Sequence, residues 1–274
     1  METYMNSVVH LSREEFLNPE KISEIQKCLN DCNVVVVRQA LEPQNLRELV
    51  RDLLDNPPEI TGDTRVLEGV RNIYYESRGR GSHNASESDD SIYEAVDKSF
   101  YFFPWNEDST GISDLLQPLF NQVLRLNGFS PEEMVRRTPK DGVVQRFHLI
   151  YYPQGQGLIS AHRDPIKETS FTGGVYVTEF GRDYTSGGFY VLNREGEKVY
   201  VDHQVNSGDV VLFLANLPHG VDVNFFDQNN KFDNDSNRFM GRCFINMTVV
   251  ESHHVKNRET TTGIVIDQSN SIDT

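Results

Sequence analysis

The chain opens on short apolar runs alternating with amphipathic stretches. VVHL, ending at Leu11, reads as a strand. Ser12 followed three residues later by Glu15 has capping-box spacing, and a helical pattern then runs in pieces through Phe16, Ile22, Ile25 and Leu29. NVVVVRQ (Asn33 to Gln39) is β-branched without polar alternation, which predicts a strand covered on both faces. Pro43 opens a second helix with Leu46, Leu49, Val50, Leu53 and Leu54 on one side, ended by Asn56-Pro57-Pro58. Glu76 to Asp90 holds almost no apolar residue and predicts a mobile loop. Tyr93, Phe100 to Phe103 and Trp105 follow as an aromatic cluster, read first as core and second as the wall of a lid. Leu115, Leu116, Leu119, Val123 and Leu126 then mark a helix stopped by Asn127-Gly128.

From Val143 the period changes. VVQRFHLIYY, LISAHRD, GGVYVTEF, GGFYVL, KVYVDHQV, DVVLFLA and RCFINMTVV are short apolar runs separated by Gly, Pro, Asn and Asp, the pattern of a sandwich or barrel. Asn224 to Asn237 reads as a loop between the last two strands, and everything after Val250 as a polar tail. No linker or repeat divides the chain. The expectation is one domain over 1–274, with an N-terminal strand-helix layer and lid region (1–142), a double β-sheet (143–250) and the tail (251–274).

Composition narrows the partners. Lys and Arg number 26 against 41 Asp and Glu, a net charge of −15. Such acidity disfavours nucleic acid and anionic membrane surfaces, so the partner expected is a small molecule. With no long apolar run, no basic-then-apolar leader and only three cysteines, a cytoplasmic protein is expected. Nothing in the sequence fixes an oligomeric state.

The candidate chemistry is a metal centre. His162-Arg163-Asp164 closes a predicted strand, and residues two apart on a strand face the same way. His219 follows the apolar run VVLFLA. Two His and one carboxylate form the facial triad of non-haem Fe(II) oxygenases, which leaves three positions open. Such a centre draws electrons from a 2-oxo acid, whose far carboxylate suits the planar fork of an arginine. Arg242 opens the last strand, with Phe244, Asn246 and Thr248 on the same face; Arg238 has the same parity but adjoins the loop, so Arg242 is preferred. Asp202-His203 is a rival ligand pair, with His203 read as a wall residue. Cys28 with Cys32 is read as ordinary packing, and His253-His254 as solvated tail. Arg78, Arg80, Arg146 and the aromatic cluster are candidates to meet an anionic or aromatic substrate.

The stretch HLIYYPQGQGLISAHRDP through GGFYVL, GEKVYVDHQVNSGDVVLFLANLPHGV and RCFINM resembles the non-haem iron, 2-oxoglutarate-dependent oxygenases, especially the branch of isopenicillin N synthase and the plant hydroxylases. The resemblance runs from His148 to Val250. It implies a mixed α+β fold built on a C-terminal double-stranded β-helix (jelly roll). It further implies Fe(II) on His162, Asp164 and His219, with 2-oxoglutarate and O2 as co-substrates and Arg242 on the distal carboxylate. Tyr152 matches a tyrosine that helps bind that carboxylate. The aspartate at 164 is similar to hydroxylating members and unlike halogenases. Phe244 stands where the family has Ser, Ile150 where it has Asn, and the loop between His219 and Arg242 is longer. The implied activity is oxidation of a small organic molecule with release of succinate and CO2. A cupin-like metalloenzyme and a non-enzymatic jelly-roll binding module remain the alternatives.

Overall fold

The computed structural model describes residues 3–57, 73–79, 82–84, 92–227, 237–257 and 261–264. Strand β1 (Val8–Ser12) leads into helix α1 (Arg13–Leu17), a 3-10 turn, and α2 (Ile22–Asn30). The expected capping box is present, with Ser12 Oγ accepting from Glu15 N–H and the Glu15 carboxylate accepting from Ser12 N–H. Strand β2 (Val34–Arg38) and helix α3 (Pro43–Asp55) follow as the hydrophobic pattern predicts.

Two sheets are built from what comes after. Their strands are β3 (Tyr74–Arg78), β4 (Ser82–Asn84), β5 (Ile92–Phe102), β6 (Val143–Pro153), β7 (Leu158–Arg163), β8 (Phe171–Tyr176), β9 (Ser186–Leu192), β10 (Lys198–Tyr200), β11 (Val210–Leu214), β12 (His219–Phe225), β13 (Gly241–Glu251) and β14 (Thr262–Gly263). Helices α4 (Ile112–Leu126) and α5 (Pro131–Met134) interrupt them between β5 and β6. One sheet runs β1-β2-β11-β8-β13-β6-β5, and the other β5-β7-β12-β9-β10. Strand β5 belongs to both: Lys98 to Phe102 pair with β6, while Ala95 and Val96 pair with β7. The pairing is antiparallel except between β1 and β2. The result is a double-stranded β-helix with helices on one side, the mixed α+β class expected.

Side-chain alternation explains both cores. On β2, Val35 and Val37 join the helix-side core, while Val34 and Val36 join the core between the sheets. Strand β11 divides likewise, Val210 and Leu212 against Val211 and Phe213. On β13, Cys243, Ile245, Met247 and Val249 turn toward the helices, so Arg242, Phe244, Asn246 and Thr248 turn inward. The N-terminal layer is also pinned electrostatically. Arg47 on α3 donates to both carboxylate oxygens of Asp183 (2.7 and 2.8 Å) beyond β8, and both side chains are buried.

Three expectations change. The polar stretch after Glu76 is not simply loop, because β3 and β4 lie in it and pair with β5; Arg80 and 85–91 lie outside the described residues. These strands take their order from the long neighbour they pair with, so they carry no apolar signature of their own. VYVDHQV is not one strand: β10 ends at Tyr200, and Asp202–Gln204 is a 3-10 turn that leaves His203 exposed, stacked on Tyr200 and tilted against Phe180 rather than in a cavity wall. The tail past Val250 contributes β14, which pairs with the end of β7 that carries His162. No helix among the described residues is long and apolar enough to cross a membrane.

Candidate metal centre and its cavity

His162 and His219 face each other across a ladder, since β7 and β12 pair with these two residues in register. Strand β12 was not visible in the sequence as a strand, and His219 is its first residue rather than an appendage of β11. Each imidazole is oriented by its own backbone: His162 Nδ1–H donates to Ser160 O (2.8 Å) and His219 Nδ1–H to Leu217 O (2.7 Å). These bonds set the tautomer, so both Nε2 atoms offer lone pairs. The Nε2 atoms lie 3.7 Å from the two oxygens of Asp164, one on each. That is too long for hydrogen bonds. Three donor groups therefore converge without hydrogen bonds among themselves. All three lie within 4.8 Å of one another, the single such group of His, Cys, Asp or Glu among the described residues.

The donor set fits a divalent cation. Burial, with a further push from His162 and against the pull of Asp164, drives the His219 pKa down to about 4, which keeps it neutral and available for coordination at neutral pH. Its ring is wedged near Phe213 (4.9 Å) and Phe189 (5.9 Å). Cys28 and Cys32 take no part; Cys32 lies past the end of α2 with a left-handed backbone (φ 62°). His253 and His254 stack on one another at the surface.

A residue absent from the sequence reading touches the centre. Thr261, beside β14, donates from Oγ1 to Asp164 Oδ1 (3.1 Å). A bond behind a ligating carboxylate orients it, and losing such bonds costs about 10–100-fold in metal affinity. Thr261→Val is therefore expected to weaken Fe(II) binding by about tenfold with little change in thermal unfolding, as measured by anaerobic titration. No sequence signal marked it beyond a Thr-rich patch in a polar segment.

The triad opens into a cavity of about 620 Å³ between the sheets. Ile150, Phe189, Phe213 and Val221 form apolar wall, and Arg242, Tyr152 and Phe244 lie on it as well. Arg242 pairs across the ladder with Tyr152. Its guanidinium is almost wholly buried among the rings of Tyr176, Phe244, Phe189 and Tyr152, with centroids at 4.8, 5.3, 5.7 and 5.8 Å. Phe244 thus supplies one side of an aromatic box. Asp202 completes it, accepting from Arg242 Nε (2.9 Å), the hydroxyls of Tyr176 and Tyr184 (2.6 Å each) and Phe189 N–H (2.9 Å). Burial opposes the charge on Arg242, but the Asp202 carboxylate outweighs it and keeps the guanidinium protonated. Gly188 makes the arrangement possible, for a Cβ there would stand 2.2 Å from Asp202 Oδ2. Arg238 is elsewhere: its guanidinium lies over the Phe226 ring (3.7 Å), and it does not line the cavity.

The aromatic cluster divides by strand parity. Phe100 and Phe102 enter the helix-side core, Tyr93 and Tyr101 line the cavity, and Trp105 stacks on Phe103 (4.9 Å).

No protein-family model and no curated protein matches the chain. Among solved structures it is similar to a prolyl-4-hydroxylase of Pseudomonas putida, at 15% identity and a TM-score of 0.47 over 84% of this chain and 97% of that one. It is also similar to SnoN, a non-heme alpha-ketoglutarate dependent epimerase from nogalamycin biosynthesis, at 12% identity and a TM-score of 0.48 over 88% and 89%. A putative 2OG-Fe(II) oxygenase family protein from Caulobacter crescentus matches at 12% identity and a TM-score of 0.46 over 88% and 85%.

Proposed function

We propose that this protein is an Fe(II)- and 2-oxoglutarate-dependent dioxygenase that oxidises a small organic molecule, with hydroxylation as the outcome. The observation that carries the reading is the convergence of His162 Nε2, His219 Nε2 and the Asp164 carboxylate on one point at the wall of a cavity. A module that binds no metal has no use for two imidazoles and a carboxylate aimed at one another.

The triad would hold iron(II), which with 2-oxoglutarate and dioxygen supplies the oxidising power and releases succinate and CO2. The chain's own residues do the rest. One carboxylate set against two imidazoles would leave a bound divalent ion with net positive charge toward anionic ligands. Arg242, boxed by aromatic rings and fixed by Asp202, takes the distal carboxylate of 2-oxoglutarate, with the Tyr152 hydroxyl beside it. Burial pushes the Tyr152 phenol well above its usual range, so it stays a donor. Ile150, Phe189, Phe213 and Val221 exclude water from the reacting space. Tyr151-Tyr152-Pro153, His162-x-Asp164 and Arg242 support placing the chain near the isopenicillin N synthase and plant-hydroxylase branch, while Phe244 and Ile150 depart from it.

The test is direct. Anaerobic addition of 2-oxoglutarate to the Fe(II)-loaded protein is expected to produce a weak visible charge-transfer band. Thermal stability is expected to rise with 2-oxoglutarate concentration, by about 2.7 kcal/mol at one hundred times the dissociation constant. Absence of both effects at millimolar 2-oxoglutarate would overturn the reading.

A further inference from the structure

The cavity wall formed by β6 and β13 has two cationic ends. Arg242 and Tyr152 pair at one, and Arg146 and Thr248 pair at the other, six residues along the ladder. Six residues of strand span roughly 20 Å. The two arginines differ in how their charge is met. Arg242 has Asp202. Arg146 has no ion pair and no hydrogen bond among the described residues, and its Nε is buried without a partner.

Two further orphans sit on the same cavity, Arg78 Nε and Thr248 Oγ1, both buried and unpartnered among the described residues. Buried polar atoms are nearly always satisfied, so three failures on one cavity wall mark a place where a bound group belongs.

The ion pairs around the cavity show which cation is left for that group. Arg78 is neutralised by buried Asp97 (Nη2 to Oδ2, 2.6 Å). Lys167 pairs with Glu251. Glu76 accepts from the Tyr101 hydroxyl (3.1 Å) and does not reach Arg146. Glu168 also lines the cavity and forms no ion pair with Arg146, which is left as the one arginine or lysine of the lining without an ion-pair partner among the described residues.

That charge is held on a rigid shelf. The guanidinium lies over the Tyr101 ring (5.3 Å), and Tyr101 stacks on His148 (4.4 Å). His148 Nε2–H donates to Ser99 Oγ (2.9 Å), and Ser99 donates to Asp97 (2.6 Å). Burial, together with the fields of Arg146 and Arg78, keeps His148 neutral, so it adds no competing charge.

Resting on the iron-centre reading, we propose that the molecule oxidised here carries a single carboxylate, which docks on Arg146 with Thr248 Oγ1 and Arg78 Nε beside it, leaving its body to reach back past Tyr93 toward the triad. A carboxylate matches the planar fork of arginine and supplies the ion pair that Arg146 lacks. A phosphate monoester would bring an excess of negative charge. This end of the cavity is distinct from the Arg242 end, so substrate and 2-oxoglutarate need not compete.

The experiment uses the full chain loaded with Mn(II) and saturating 2-oxoglutarate, which gives no turnover. Phenylacetate, phenylacetamide and phenyl phosphate are titrated by calorimetry, and Mn(II)-induced broadening of the phenylacetate ring protons reports nearness to the triad. Phenylacetate is expected to bind about tenfold or more tightly than the amide and to be broadened by Mn(II). Arg146→Gln is expected to bring the acid-to-amide ratio near one, and Arg146→Lys to retain part of it. In both variants 2-oxoglutarate affinity should change by less than about threefold, which also certifies that they fold. Equal binding of acid and amide, displacement of 2-oxoglutarate by phenylacetate, or a preference for phenyl phosphate would each overturn the proposal. An acid preference that depends on Arg146 in a protein that fails to bind Mn(II) would instead overturn the iron centre and leave the carboxylate site standing.

Discussion

His162→Ala and His219→Ala are each expected to abolish stoichiometric Fe(II) binding, and with it all 2-oxoglutarate turnover. Each removes one of three donors from a site with no fourth His, Cys, Asp or Glu among the described residues close enough to substitute. Both rings are buried, so the substitutions also cost stability. His219 gives up its hydrogen bond to Leu217 O and its packing on Phe213 and Phe189. The loss is about 1–3 kcal/mol each, which lowers the unfolding midpoint without preventing folding. Anaerobic iron titration alongside far-ultraviolet circular dichroism checks both halves. Full iron occupancy in either variant with a native spectrum would mean that the ion, if any, sits elsewhere.

Arg242→Ala carries the second large effect, and it should appear in two measurements at once. A desolvated carboxylate held by a forked guanidinium is a strong contact, so 2-oxoglutarate affinity should fall by about a hundredfold or more. Removing the arginine also strands Asp202, a fully buried carboxylate left with two tyrosine hydroxyls and one backbone N–H. Breaking a buried pair on one side costs about 3–5 kcal/mol. Affinity must therefore be measured well below the lowered unfolding midpoint. Arg242→Lys separates the effects: it keeps the charge opposite Asp202 and recovers much of the stability, but it lacks the fork and should regain only part of the affinity. Arg238→Ala, on a guanidinium outside the cavity, should cost less than tenfold. A larger loss at Arg238 than at Arg242 would refute the proposed co-substrate site.

Much of this molecule was legible because its physics is periodic. Val34 to Val37 had to be covered on both sides, and they are, by helices on one face and the second sheet on the other. The parity of Arg242, Phe244, Asn246 and Thr248 followed from strand geometry alone. The triad was readable because His-x-Asp at a strand end places both groups on one face. What escaped has no period. Strand β12 begins with His219 and a glycine, and its apolar positions are too few to announce it. Asp202 reads in the sequence as half of a rival ligand pair, whereas it is the anion that fixes Arg242. Thr261 reaches Asp164 from 97 residues away, a distance at which local pattern says nothing.

Strand β14 has a consequence for how this edge of the molecule folds. One side of β7 is completed by two remote segments, β5 at Leu158 and Ile159 and β14 at His162 and Arg163. Asp164 and Thr261 stand 97 residues apart in the chain, so their hydrogen bond closes a long loop. Contacts of such separation cost chain entropy before they return any energy, and they slow folding. The edge of β7 beside His162 is thus ordered by a late, non-local pairing, whereas its opposite edge is ordered by β12.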